Sequence, residues 1–183
     1  MSVEVDILKT VCQKLEQANI PYMLTGSLAA NFYAVPRMTR DIDIVIQIMK
    51  KDAQKMHQTF QEDFYVSENA IIEAVEYQTA FNIIHNHSIV KIDFIIRKNE
   101  VYRSTEFQRK QRILVDGTPI WIVSPEDLII SKLFWAKDSH SEMQLKDINN
   151  ILLNVKKIDK VYILKWVETL DLSLIFEKVR FYG

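Results

Sequence analysis

In Asp41-Ile42-Asp43-Ile44-Val45-Ile46, carboxylates and aliphatic side chains alternate. A strand sends successive side chains to opposite faces. Asp41 and Asp43 therefore share one face, and Ile42, Ile44 and Ile46 share the other. The isoleucine face can enter a core. The two aspartates then stand side by side on the opposite face, where like charges repel unless a cation lies between them. Paired carboxylates are hard oxygen ligands that suit Mg²⁺, an ion that usually arrives with substrate phosphates. The strand is a candidate metal site.

Upstream, Tyr22-Met23-Leu24-Thr25 reads as a short buried strand and Ser27-Leu28-Ala29-Ala30-Asn31-Phe32 as the start of a helix, with Gly26-Ser27 as the turn between them. A helix N-terminus offers unpaired N–H groups and a partial positive charge, which together favour an anion. Glycine lets a phosphate approach the backbone closely, and the serine hydroxyl adds a hydrogen bond. The chain has three glycines, at positions 26, 117 and 183, so one at this turn is notable. A bare Gly-Ser or Asp-x-Asp says little; strand, Gly-Ser, helix and then Asp-x-Asp in a second strand is a much rarer order.

A third carboxylate stands in Ser88-Ile89-Val90-Lys91-Ile92-Asp93-Phe94-Ile95-Ile96. Val90, Ile92, Phe94 and Ile96 fall on one face, and Asp93 lies on the other between Lys91 and Ile95. An ionised aspartate in so apolar a strand is costly without a partner. Two partners are open: a neighbouring lysine or arginine, or a metal shared with Asp41 and Asp43 on an adjacent strand.

Gly26-Ser27 followed by Arg37-Met38-Thr39-Arg40-Asp41-Ile42-Asp43 resembles the signature of the DNA polymerase β-type nucleotidyltransferase superfamily, and the Arg-x-Thr-x-Asp-Ile-Asp run is closest to its AbiEii-like, toxin-type branch. Where family patterns often have a glycine before the arginine, this chain has Val35-Pro36. The resemblance implies that Gly26 and Ser27 hold a triphosphate tail. It also implies that Asp41, Asp43 and Asp93 bind two Mg²⁺ (Mn²⁺ as a substitute), with Asp93 activating the attacking hydroxyl. Pro125-Glu126-Asp127-Leu128-Ile129-Ile130-Ser131-Lys132-Leu133 and Lys146-Asp147-Ile148 resemble the branch's downstream motifs, where a helix lysine and a basic-Asp pair border the nucleotide. Lys146 stands where the family usually has arginine, which keeps the charge but not the bidentate fork. Arg37, Thr39, Lys132 and Asp147 thus join the implied nucleotide set. For Lys132 and Asp147, a solvated helix surface is the competing explanation.

The implied reaction is transfer of a nucleoside monophosphate from a nucleoside triphosphate to an acceptor hydroxyl, with release of pyrophosphate. A tRNA 3′ end, a protein or a small molecule would serve as acceptor, and the branch adds a toxin–antitoxin context with a cognate toxin or antitoxin as partner. The rival reading is a non-catalytic nucleotide-binding or interaction protein that keeps the fold.

Composition agrees without choosing among these. At 183 residues and 48% hydrophobic, the chain can build one core with a helical extension. Cys12 is the only cysteine, which excludes an intramolecular disulfide; it falls on the helical stripe of Ile7, Leu8, Val11 and Leu15. Glu4, Asp6 and Lys9 break any signal-peptide pattern, and no apolar run reaches a membrane span, so the reading is a cytoplasmic protein without membrane contact. The net charge is −1, unevenly spread. Met56 to Val90 lacks Lys and Arg, while Lys91 to Arg112 is rich in them. That basic segment would guide a triphosphate or an RNA backbone, or is simply a solvated surface.

The pattern predicts an α+β fold: a mixed β-sheet nucleotidyltransferase core with helices on one side over residues 1–123, then a helical bundle over 124–183. Helices are expected at 3–18, 27–34 and 51–62, strands at 21–25 and 41–48, and a strand or short helix at 70–77. A hairpin of 79–84 and 89–96 turns through His85-Asn86-His87-Ser88, a turn pattern rather than a metal motif. Asp116-Gly117-Thr118-Pro119 turns between two more short strands. Ser124-Pro125-Glu126-Asp127 starts a helix, with serine as cap, proline first and an acid three residues on. Further helices are expected from about Glu142, at 159–170 and at 174–179.

Overall fold

The computed structural model describes residues 2–139 and 141–179; His140 lies outside them. The chain runs α1 (Val3–Gln17), β1 (Tyr22–Thr25), α2 (Gly26–Tyr33), β2 (Asp41–Ile46), α3 (Ala53–Phe60), β3 (Phe64–Tyr65), α4 (Glu68–Tyr77), β4 (Ala80–His85), β5 (Lys91–Ile96), α5 (Val101–Gln108), β6 (Gln111–Val115), β7 (Thr118–Ile122), α6 (Pro125–Ser139), α7 (Glu142–Asn154), α8 (Lys160–Thr169) and α9 (Ser173–Phe176). The strands form one mixed sheet in the order β3-β4-β5-β2-β1-β7-β6. β2 is parallel to β5 and antiparallel to β1, and β4 and β5 make the expected hairpin.

The aliphatic alternation does what strand geometry requires. Ile42, Ile44 and Ile46 on β2, with Ile92, Phe94 and Ile96 on β5, are buried on one face. Phe60 of α3 packs on Phe94 with ring centroids 5.5 Å apart. Tyr22 pairs with Ile46 and so shares that face; burial pushes up both its hydroxyl and the thiol of Cys12, the latter to about 12. Cys12 is thus a packed apolar group, as its helical stripe predicts.

Three local features depart from or sharpen the sequence expectation. Residues 68–77 are a helix, because Ser67 caps it by accepting from the Ala70 N–H at 3.3 Å and because Ile71 and Ala74, one turn apart, bury together. The segment 101–108 is also a helix, which periodicity does not announce. Its sequence Val-Tyr-Arg-Ser-Thr-Glu-Phe-Gln is mostly polar, and one of its three buried residues is Glu106. The two-residue strand β3 is too short for any alternation to be read. The His85 turn is held locally: the Ser88 N–H donates to His85 Nδ1 at 3.2 Å.

The start of α6 is as predicted, with Ser124 Oγ accepting from the Asp127 N–H at 3.1 Å. The Asp127 carboxylate is fully buried and accepts from Ser124 Oγ, Arg109 Nε and the Tyr162 hydroxyl. It therefore ties α6 to the end of α5 and to α8. Contacts with α2, α7, α8 and α9 bury α6 on most sides. No single apolar stripe describes such a helix. Among the described residues, no helix is long and apolar enough to cross a membrane.

Candidate active site

Strand register brings the predicted carboxylates together. Asp43 pairs directly with Asp93 across β2 and β5, and with Thr25 across β2 and β1. Asp41 lies two residues back on the same face, level with Lys91. Side chains directly opposite in a sheet sit close enough to interact. Asp43 records the result: burial first, then repulsion from Asp93 and Asp41, pushes its carboxyl up to about 6, against the counter-pull of Lys132 and Lys91.

Of the two partners left open for Asp93, the structure has the basic one. Asp93 faces Asp43, and its Oδ2 also accepts from Lys91 Nζ at 2.8 Å; the same ammonium lies 3.9 Å from Asp41 Oδ1. A single positive charge thus sits between two of the three carboxylates. Asp43 turns the other way, over Gly26. In these rotamers no three acidic, His or Cys side chains among the described residues close on one point.

Gly26 begins α2 with φ +68°, a conformation that favours glycine. A Cβ there would fall 2.0 Å from Asp43 Oδ2 and 2.9 Å from Asp43 Cβ. The glycine therefore makes room for the Asp43 carboxylate. Gly26→Ala should destabilise the protein by about 1–3 kcal/mol through left-handed strain and displacement of Asp43. Urea unfolding checks this, and a change below about 0.5 kcal/mol would mean that the turn relaxes freely.

The predicted nucleotide set is largely one hydrogen-bonded network. Arg37 clamps Asp147 with both ends of its fork, Nε to Oδ1 at 2.8 Å and Nη2 to Oδ2 at 2.9 Å. The same Nη2 donates to Ser27 Oγ at 2.6 Å. Lys132 Nζ donates to Asp147 Oδ2 at 2.7 Å and to Gln144 Oε1 at 2.9 Å. Lys132 is 3% exposed and Asp147 5%, so neither is a solvated helix-surface group. Burial alone would raise the Asp147 carboxyl, but Arg37 and Lys132 hold it below the usual range. Burial lowers the Lys132 ammonium, and the hydrogen bond to Asp147 opposes it. Thr39, half-buried in the loop before β2, joins none of these bonds.

Two residues escaped the sequence reading. Asn31 pins the loop around Arg37, donating to the Arg37 carbonyl at 2.8 Å and accepting its N–H at 3.0 Å. Gln144 lines the cleft. Both are single amides whose role appears only once loop, α2 and α7 meet. Asn150 of α7 donates to the Val35 carbonyl, fixing the loop that carries Val35-Pro36 from its other side. The resulting cleft, about 210 Å³, is lined by Gly26, Ser27, Asp43, Lys132, Trp135 and Gln144 among others.

Comparison with known proteins identifies the family and the fold. The sequence pattern of the aminoglycoside-2''-adenylyltransferase family matches residues 7–148. No curated protein matches the chain significantly. Among solved structures, ANT(2'')-Ia in complex with adenylyl-2''-tobramycin is 12% identical, with TM-score 0.60, covering 97% of this chain and 99% of that one. An antigenic nucleotidyltransferase-like protein from Paracoccidioides brasiliensis is 18% identical, with TM-score 0.58 and coverages of 96% and 92%. The lincosamide antibiotic adenylyltransferase LnuA with bound lincomycin is 14% identical, with TM-score 0.55 and coverages of 82% and 96%. These likenesses show a shared nucleotidyltransferase fold. With the family pattern running from within α1 to midway along α7, including Gly26-Ser27, all three aspartates and Asp147, the chain is a nucleotidyltransferase that belongs to the aminoglycoside-2''-adenylyltransferase family.

Proposed function

We propose that the protein transfers a nucleoside monophosphate from a nucleoside triphosphate to a hydroxyl of a small molecule, using Mg²⁺ held by Asp41, Asp43 and Asp93. The observation that carries this is the register pairing of Asp43 with Asp93, beside the Gly26-Ser27 turn. The donor set fits a hard divalent cation. Three carboxylates on one sheet face hold more negative charge than Lys91 and Lys132 balance, as the raised Asp43 carboxyl records. Bound Mg²⁺ would stabilise charge on the attacking and leaving oxygens.

The chain's own residues divide the remaining work. Gly26, Ser27 and the N-terminus of α2 receive the β- and γ-phosphates, and Arg37 and Lys132 place positive charge beside them. Asp147 holds both cations in position, and we assign Thr39 to the nucleotide side of the cleft on the motif resemblance. Asp93 takes the proton of the acceptor hydroxyl. The acceptor oxygen bonds to the α-phosphorus, the bond from that phosphorus to the bridging oxygen breaks, and its electron pair leaves on pyrophosphate. Such chemistry is chiefly positioning and charge stabilisation. Residues 124–183 serve as a helical extension that closes the cleft, a division supported by the packing of α6 and α7 against α2.

A small-molecule acceptor is favoured because two structural neighbours hold adenylyl-2''-tobramycin and lincomycin. The tRNA, protein and toxin–antitoxin readings, and the AbiEii-like branch itself, rest on the motif resemblance of Arg37–Asp43 and of the segments around Lys132 and Asp147. Mg²⁺ with a triphosphate at about 100 times its Kd should stabilise the protein by about 2.7 kcal/mol, roughly 5–10 °C in Tm. Asp41→Ala/Asp43→Ala should lose that shift. Equal shifts in both proteins, read by differential scanning calorimetry, would remove the site from consideration.

A further inference from the structure

Past Trp135 the cleft continues into a larger pocket of about 490 Å³. The two share Thr25, Ile95, Ser131 and Trp135, so an occupant of the pocket lies next to the cleft that Asp43 lines. Gly26, Ser27 and Lys132 line only the cleft. The pocket's strand wall is instead Ile95 and Ile96 at the end of β5, continuing into Arg97 and Lys98. β5 is the strand that carries Asp93. In-line transfer sets the attacking hydroxyl opposite the leaving oxygen. With the phosphate tail at Gly26-Ser27, the hydroxyl therefore enters from the β5 side, which makes this the acceptor's pocket.

Its lining has a definite chemistry. Val45 and Ile95 follow Asp43 and Asp93 by two residues on the same strand faces, and both are apolar. Trp135, 62% exposed, and Phe134 present rings from α6. Three cations, Arg97, Lys98 and Arg103, stand against two acids, Glu106 and Asp138. Glu106 is buried and already occupied, accepting from Arg103 Nη1 at 2.9 Å and from Ser131 Oγ at 2.6 Å. Beyond the occupied Glu106 the lining offers a polycation one carboxylate, Asp138, and on the reading above Asp43 of the adjoining cleft is committed to Mg²⁺. A polycation would therefore lose more water than these replace and would meet Arg97 and Lys98 at the rim. A ring or apolar face would instead pack on Phe134, which lines the pocket alone, and on Trp135.

We propose that the acceptor of this enzyme is a hydroxyl-bearing small molecule with an aromatic or apolar face and no net positive charge, and that polycationic aminoglycosides are poor ligands. This rests on the transferase reading above and narrows its substrate class.

Calorimetric titration with 4-nitrophenyl β-glucoside and with tobramycin tests it, each with and without the Mg²⁺ complex of an α,β-methylene ATP analogue. The glucoside should bind about ten-fold or more tighter than tobramycin. Phe134→Ala should weaken the glucoside roughly five-fold or more while leaving the analogue's affinity unchanged, because Phe134 lines the pocket but not the cleft. Tobramycin binding as tightly as the glucoside, or no glucoside binding, would overturn the proposal. So would a loss of analogue affinity in Phe134→Ala, since the pocket would then hold the nucleobase. Failure of the analogue to bind the native protein would strike the transferase reading instead, and the probe titrations without analogue would still judge the pocket.

Discussion

Asp43→Asn should remove nucleotide transfer and at the same time make the metal-free protein harder to unfold at pH 8. Asparagine keeps the shape and deletes the charge. In the native protein that charge is held where burial, Asp93 and Asp41 all oppose it, and the carboxyl is pushed from 3.8 up to about 6. The sign follows from the direction of the shift. The folded state keeps a proton that the unfolded chain releases from about pH 4 upward, so stability present below pH 4 is lost as pH rises through 6. A rise from 3.8 to about 6 corresponds to an order-of-magnitude cost of about 3 kcal/mol at pH 8.

Asp43→Asn lacks that slope and should gain about 1–3 kcal/mol over native in EDTA at pH 8, with the difference closing near pH 4. Transfer should fall about 10³-fold or more, because a ligand worth several kcal/mol of transition-state stabilisation is gone. Asp93→Asn should lose transfer comparably while triphosphate affinity stays within several-fold, since its lost interaction matters chiefly in the transition state. Urea melts across pH 4–8 and single-turnover transfer are the measurements. Parallel pH profiles for native and Asp43→Asn, or transfer kept within about ten-fold, would show that Asp43 is an ordinary structural carboxylate.

Asp147→Ala should be among the most destabilising single substitutions in the chain, at about 3–5 kcal/mol. It strips the acceptors from Arg37 Nε and Nη2 and from Lys132 Nζ together. Lys132, at 3% exposed, cannot turn to water. Burial already lowers its ammonium, so without Asp147 it sheds its proton or forces the cleft open. Arg37 also loses the clamp that aims it at Ser27. Triphosphate affinity should therefore fall with stability, although Asp147 does not itself line the cleft. Pairing Asp147→Leu with Lys132→Met should recover much of the stability and none of the affinity, because apolar packing replaces a buried ion pair but offers no charge to a phosphate. A loss below about 1 kcal/mol in Asp147→Ala would mean that the pair is solvated and that Lys132 reaches water.

The legible part of this protein is the part set by short-range geometry. Strand alternation has a period of two, so Asp41-Ile42-Asp43-Ile44-Val45-Ile46 alone decides that both carboxylates leave the core on one face. The same rule places Asp93 opposite its aliphatic neighbours. Gly26-Ser27 between a strand and a helix is local too, as is the Ser124 cap. The helix 101–108 was not legible, because one of its three buried residues is a glutamate that is acceptable there only with Arg103 and Ser131 as partners.

Tertiary structure alone decided the remaining features of the site. Pairing of Asp43 with Asp93 depends on β2–β5 register, a choice between strands far apart in the chain. The competing lysine for Asp93 proved to be Lys91, two residues away on the same face, a rotamer outcome that alternation permits but does not select. Gly26 needs its missing Cβ because Asp43 arrives there from another strand. For Lys132 and Asp147 the sequence leaves a solvated helix surface open, because helical spacing sets each beside an apolar stripe rather than on it. They are buried because α6 and α7 close on each other and bring Arg37, 110 positions from Asp147, to the same carboxylate. A charge can be buried only where its partner arrives in three dimensions, and that partner need not be near it in sequence.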